Sequence, residues 1–574
     1  MGKFLQVLVA LSAFVSIVPG IALGQQSLND VERRERDRAV DIERQNRLEE
    51  PKVTLPEDVV IPAEPDAPIG ADQPCFDIHT VRLVIPASVP LAKGNSPEKL
   101  IKRHFSFLED VTDRYQGRCI GQGTIGRLLN ELMAAVISQG YTTTRFYLSQ
   151  QDMRSGTLSI NLIPGFVDNI IIRGDGGRLI PTFTFPVSQG DVLNLRELEQ
   201  GLEQVKRLAS FDVTMQLVPS LDKLARSDVM LTLERQKPWH VNISVDDAGV
   251  DSTGKHIARV GALLDNPLRI ADQLALNTFS DLDSTTDVDT RGGDVSYTVP
   301  YGYWTHQASA GISEYRQLFG FRGDLVSSGE TQSVSVKSTR VIYRNKKQKI
   351  ELYAKVANRS ARAYLNDLEI LVQRSSRSSL EAGYRQRTYF GQASLDIVLA
   401  SRWGVPWFRA DDDPAGQTSS DATRRYSLQT LDISYSRPLS LFGKPISYLG
   451  TVRAQYTNDI LFGSEFFAIG DRYSVRGFGD EDTLSADKGA YLRNQLSARS
   501  ALCRCTGIVG LDAGTLSGPA TDENVGNSLV GAYVGARGAL YRANYDFFVG
   551  LPVYQPKDFD VSGANFGFSV STYF

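Results

Sequence analysis

The hydrophobic pattern changes character several times along the chain. Residues 4–23 are almost wholly apolar, follow Lys3, and end in Ala22-Leu-Gly24. That layout predicts a cleaved export signal over 1–24. A single membrane anchor is the competing reading, but Ser12, Ser16 and Pro19-Gly20 interrupt its apolar run. Residues 27–50 then hold eight acids and six arginines, among them Arg33, Arg34, Arg36, Arg38 and Asp41. Opposite charges recur at helical spacing, as in Glu32–Arg36 and Arg38–Asp41, which predicts a helix over 25–50 that is polar on nearly every side. Such a helix has no place in an apolar core. It is either solvated or seated in a wet cavity with charged walls. Six prolines over 51–74 make the next stretch an extended linker, able to reach about 70 Å at roughly 3 Å per residue.

Two compact α/β units follow. In 75–165, Ile125, Leu128, Leu129, Leu132, Met133 and Val136 repeat at helical spacing within a predicted helix at 124–138. Strands are expected at 81–85, 143–148 and 157–163. In 166–237 the same plan recurs: strand 167–173, helix 195–208, strands 213–217 and 229–233. Two small units of one plan suggest a tandem array of binding modules.

From residue 238 the period becomes two. Segments such as 426–435, 446–456, 531–540 and 541–551 are long and alternating, with Gly, Asn, Asp, Ser and Pro between them. At about 21 residues per strand and turn, 238–574 holds about 16 strands. The last strand is the clearest: Phe566, Phe568, Val570, Thr572 and Phe574 share one face. Asn565, Gly567, Ser569, Ser571 and Tyr573 share the other. This suits a barrel with lipid outside and water inside, although an amphipathic strand of a soluble sheet has the same alternation. No run of eighteen apolar residues follows the signal, so the chain offers no transmembrane helix. A soluble sandwich of this size would show shorter strands and split into domains. The pattern therefore predicts a transmembrane β-barrel of about 16 antiparallel strands, preceded by two α/β units and a charged helix.

Composition narrows the function. A net charge of -4 gives no reason to expect a nucleic-acid partner. Cys75 and Cys119 fall in one small unit, where an oxidising compartment makes a disulfide plausible. Cys503 and Cys505 either bond through a tight turn or remain free thiols. With five histidines, no nucleophile–base–acid set, no metal cluster and no phosphate-binding loop, the chain predicts no enzyme, no metal, no cofactor and no nucleotide partner. One cluster stands out, Val475-Arg-Gly-Phe478 in a long inter-strand segment. A loop arginine is ordinarily solvated. If the loop folds back into the lumen, Arg476 needs a carboxylate. Asp512, in Gly510-Leu-Asp-Ala-Gly514, is the best candidate, because glycines such as Gly514 let backbone approach the wall closely.

This order of segments resembles the outer-membrane transporters of two-partner secretion (TpsB, the haemolysin activator and filamentous haemagglutinin transporter type), in the superfamily of POTRA-bearing barrels. The similarity covers essentially the whole mature chain and is most specific at Val475-Arg-Gly-Phe478. Cys75-Phe76 and Asp265-Asn-Pro-Leu268 also look like the family. The resemblance implies a Gram-negative outer-membrane pore that recognises a partner exoprotein through periplasmic POTRA units and secretes it. It implies that helix 25–50 plugs the resting pore and that Arg476 bridges to Asp512. It further implies that Phe574 is read by the barrel-assembly machinery, in a wall surrounded by outer-membrane lipid. Two departures stand out. Gly510 replaces an aromatic two places before the aspartate, and Gln495 follows Asn494 where an acid is usual. An insertase of the same superfamily and a passive porin are the alternative readings.

Overall fold

The computed structural model describes residues 29, 31–50, 52–55, 72–91, 96–220, 222–283, 288–319, 325–479, 483–500, 503–559, 561 and 563–574. The predicted signal at 1–24 and most of the linker at 51–74 lie outside them.

Sixteen antiparallel strands, from Trp239–Asp246 to Asn565–Tyr573, form a closed barrel. The two-residue strand Leu368–Glu369 pairs only within one hairpin. Period-two alternation sorts the side chains. In the final hairpin, Phe566 pairs with Val549, Phe568 with Phe547 and Val570 with Tyr545, so an apolar ladder points outward. Phe566 is 70% exposed and Phe547 48%, an apolar outer face of the kind a membrane barrel presents. Gly567 and Ser569 face the lumen opposite Phe548 and Asp546. The ring closes where Ser569–Tyr573 meets Asn242–Asp246, a register of five pairs.

Below the barrel, each α/β unit is a three-stranded sheet with a helix on one face. In the first, Thr157–Ile163 lies between Thr80–Val84, to which it is parallel, and Arg145–Tyr147. Helix Gln122–Ser138 presses Leu128, Leu132 and Val136 onto Leu158, Ile160 and Leu162. A short pairing of Phe76–Ile78 with Arg118–Ile120 brings the Cα atoms of Cys75 and Cys119 to 5.3 Å, and the two are disulfide-bonded. In the second unit Arg226–Arg235 lies between Phe166–Gly174, again parallel, and Phe211–Pro219. Its helix Leu195–Lys206 is capped by Asn194, whose Oδ1 accepts from the Arg196 N–H.

The second unit is bolted to the barrel through the turn after the first two strands. Asn266 Nδ2 donates to Gly176 O at 2.8 Å, Arg207 Nη2 to Ala271 O at 2.7 Å, and the Ser210 N–H to Asp265 Oδ2 at 3.0 Å. Asn266, Arg269 and Ala271 all take positive φ. The Asp265-Asn-Pro-Leu268 sequence is thus an interdomain clasp. Cys503 and Cys505 are also bonded, across the short turn before strand Thr506–Ser517.

Candidate functional site: a charged helix and an arginine loop inside the barrel

The helix spanning 31–49 lies inside the barrel, and its charges meet opposite charges on the wall. Glu32 accepts from Arg377 at 2.6 Å and from Thr331 at 3.2 Å. Arg33 donates to Ser485 and Thr483. Arg36 donates to the carbonyls of Ser464 and Phe466, and Asp37 faces Arg453 at 3.6 Å. Arg34 and Arg38 are both half-buried. Asp41 pairs with Arg44 and, at 3.5 Å, with Arg493. Arg47 reaches Asp432 at 2.9 Å and Asp396 at 3.2 Å. Glu50 closes the run on Arg385 at 2.9 Å. A helix charged all round is stable here because the wall supplies charges of both signs and neutral acceptors along its length.

Beside it, residues 458–479, which follow strand Lys444–Thr457, fold back into the lumen. Arg476 is 7% exposed and Asp512 fully buried. Arg476 Nε donates to Asp512 Oδ2 at 2.6 Å and Nη2 to Oδ1 at 2.8 Å, a bidentate fork; the Arg476 N–H adds a third bond at 3.2 Å. The guanidinium stacks on Tyr533, 3.8 Å from the ring centre. Glycines make the seat. A Cβ on Gly531 would fall 2.0 Å from Arg476 O, and one on Gly550 would fall 2.8 Å from Gly477 Cα. Gly477 itself has φ +128, in the region that favours glycine. At Gly514 a Cβ would press on Val475 and Ile469. Phe478 is buried against Phe559, with ring centres 6.0 Å apart, and its carbonyl accepts from Asn565 Nδ2.

Both sequence departures acquire a physical reading. The space above Gly510 is filled by the Tyr533 ring of the next strand, since a Cβ there would lie 2.1 Å from it. The aromatic surface is supplied from the neighbouring strand. Gln495 Oε1 accepts from Arg476 Nη1 at 3.1 Å and from Tyr533 Oη at 2.7 Å. A neutral acceptor thus stands where an acid was expected. Sequence reasoning missed Tyr533 and the Arg472–Asp247 contact, in which Arg472 Nη2 donates to Asp247 Oδ1 at 2.9 Å and to its carbonyl at 2.7 Å.

Residues 225–538 match the family described as haemolysin secretion/activation protein ShlB/FhaC/HecB. The chain belongs to that family. Residues 102–165 match its ShlB-type POTRA domain and 173–219 a second POTRA domain. The chain is 34% identical to the outer membrane transporter CdiB-2 of Burkholderia pseudomallei (strain 1026b), over 88% of each chain. It is 30% identical to the hemolysin transporter protein HpmB of Proteus mirabilis, over 66% of this chain and 67% of that one. Its fold superposes on CdiB from Acinetobacter baumannii with a TM-score of 0.82, at 26% identity, covering 95% of this chain and 99% of the other. The 16-stranded barrel, the POTRA units and the amino-terminal helix are thus those of the ShlB/FhaC/HecB family.

Proposed function

We propose that the chain is an outer-membrane pore that recognises a partner exoprotein in the periplasm and secretes it to the cell surface. The observation that carries this is a barrel of transporter-family type whose lumen holds a charged helix and whose base carries two POTRA units. A passive porin has no use for either. The helix at 31–49 is the plug of the resting pore, and its ion pairs are exchanged for water and cargo contacts when it leaves. The Arg476–Asp512 fork is a latch that keeps the loop folded into the lumen, with Val475, Gly477 and Phe478 as its packing. The cargo adds its backbone to the POTRA units. Outer-membrane lipid covers the outward face of Phe566, Phe568 and Val570, and Phe574 is the residue presented to the barrel-assembly machinery. The chain performs no catalysis, and folding of the cargo outside biases its passage. Co-expression with a large exported protein encoded beside this chain tests the reading. Its appearance in the medium only when this chain is present is the expected result. Equal export without the chain refutes it.

A further inference from the structure

Immediately after the lumen helix, residues 52–55 cross the second POTRA unit in an extended conformation. Lys52 and Thr54 are exposed, Val53 is 7% exposed and Leu55 half-buried. Val53 joins the cluster of Ile180, Leu202, Val205 and Leu208, and Leu55 packs where that cluster meets Leu195 and Leu198. Two side chains hold the backbone between them. Glu199 Oε1 accepts from the Leu55 N–H at 3.0 Å, and Arg344 Nη2 donates to Val53 O at 3.2 Å. Arg344 is fixed in turn by Glu203 at 2.6 Å and Gln200 at 3.2 Å. Among the described residues no strand pairs with 52–55. This is a peptide site on a helix and a barrel rim, distinct from addition to a sheet edge.

We propose that this groove binds an extended segment of the exported chain with aliphatic side chains two residues apart, and that residues 52–55 fill it in the resting protein as a tethered competitor. The proposal rests on the transport reading above. The site's chemistry defines its ligand. Two apolar pockets about 7 Å apart match alternate residues of an extended peptide. One acceptor serves a backbone N–H and one donor serves a backbone carbonyl, so any residue fits between them. An unfolded chain presents such segments repeatedly.

Geometry couples the groove to the pore. The helix at 31–49 is about 28 Å long at 1.5 Å per residue. From Glu50 to Val53 the chain can pay out only about 10 Å when fully extended. With Val53 seated, the helix cannot clear the lumen toward the periplasm. Helix exit therefore requires residues 52–55 to leave the groove, cargo in the groove favours that exit, and the coupling is reciprocal.

The test uses the detergent-purified full chain and a fluorescein-labelled peptide with the sequence of residues 50–57. Val53→Asp with Leu55→Asp should empty the groove, tightening peptide binding by at least about tenfold and raising the resting conductance in planar bilayers. Val53→Ser with Leu55→Ser repeats the test without new charge. Adding Leu202→Gln to either should remove the gain in binding. Peptide affinity that is the same in the wild type and both emptied variants overturns the proposal. The two readings fail separately. Strap-independent peptide binding beside normal secretion sinks the groove alone. Strap-dependent binding without secretion of any co-expressed partner sinks transport alone.

Discussion

Replacing Asp512 by alanine tests the loop seat most directly. Asp512 accepts four hydrogen bonds: three from Arg476, and one from the Asn494 N–H at 3.2 Å. Without it, the Arg476 guanidinium keeps only Gln495 and the Tyr533 face in a site almost closed to water. Leaving one member of a buried pair uncompensated costs about 3–5 kcal/mol, which lowers the seating equilibrium roughly a hundredfold to a few thousandfold. Arg476→Ala should cost less, because Asp512 then retains the backbone N–H groups of residues 476 and 494. The double variant should lose no more than Asp512→Ala alone, since removing both partners strands neither. Trypsin cleavage after Arg472 in the folded barrel reads the unseated fraction, and secretion of the partner reads its consequence. If the two single losses add in the double variant, the residues do not act as a pair and the latch argument fails.

Other consequences can be checked separately. Asp432→Lys places a cation against Arg44 and Arg47, which now lie 3.7 and 2.9 Å from that carboxylate; resting conductance should rise, and more so at low salt, where screening is weakest. Gly514→Ala should unseat the loop through Val475 and Ile469, giving the same trypsin pattern as Asp512→Ala. Burial first, and then the charge of Asp191, push Glu197 up to about 7. Its neutral form is thus favoured in the folded chain, against the opposing hydrogen bond from Tyr303 Oη, so the packing around Glu197 is most stable below the ordinary value of 4.5 and weakens as pH rises to about 7. Hydrogen exchange along Leu195–Lys206 should quicken over that window, and Glu197→Gln should flatten the response. Cys119→Ser opens a 44-residue loop and should cost the first POTRA unit about 4 kcal/mol on the chain-entropy model, read as a lower denaturation midpoint.

The barrel was legible because period-two alternation persists over strands of twelve or more residues, such as Ser528–Leu540 and Ala543–Tyr554, where a helix pattern cannot fit. The three-residue strands Phe76–Ile78 and Arg118–Ile120 escaped notice, since so short a run carries no period. A helix charged on every face points to a charged cavity before any wall is known. Its partners do not show in the sequence. Asp396, Asp432 and Arg453 are single polar positions on three different strands, and only barrel register and helix rotation bring them to Arg47 and Asp37. Gly510 illustrates the same limit. In one dimension it reads as a lost aromatic, whereas in the folded wall Tyr533 occupies the space from a strand whose register no local pattern specifies.

The closing seam carries a consequence of its own. Five register pairs make it the shortest junction of the ring, and Asp247 extends it by accepting from the Phe568 N–H at 2.9 Å. The same carboxylate is held by Arg472 of the lumen loop. A hoop under radial load parts where it is joined least, so the rivet beside this joint bears on how much load the hoop withstands. That rivet sits on the inside, within reach of whatever passes through. The bore and the hoop strength of the wall therefore depend on the same loop.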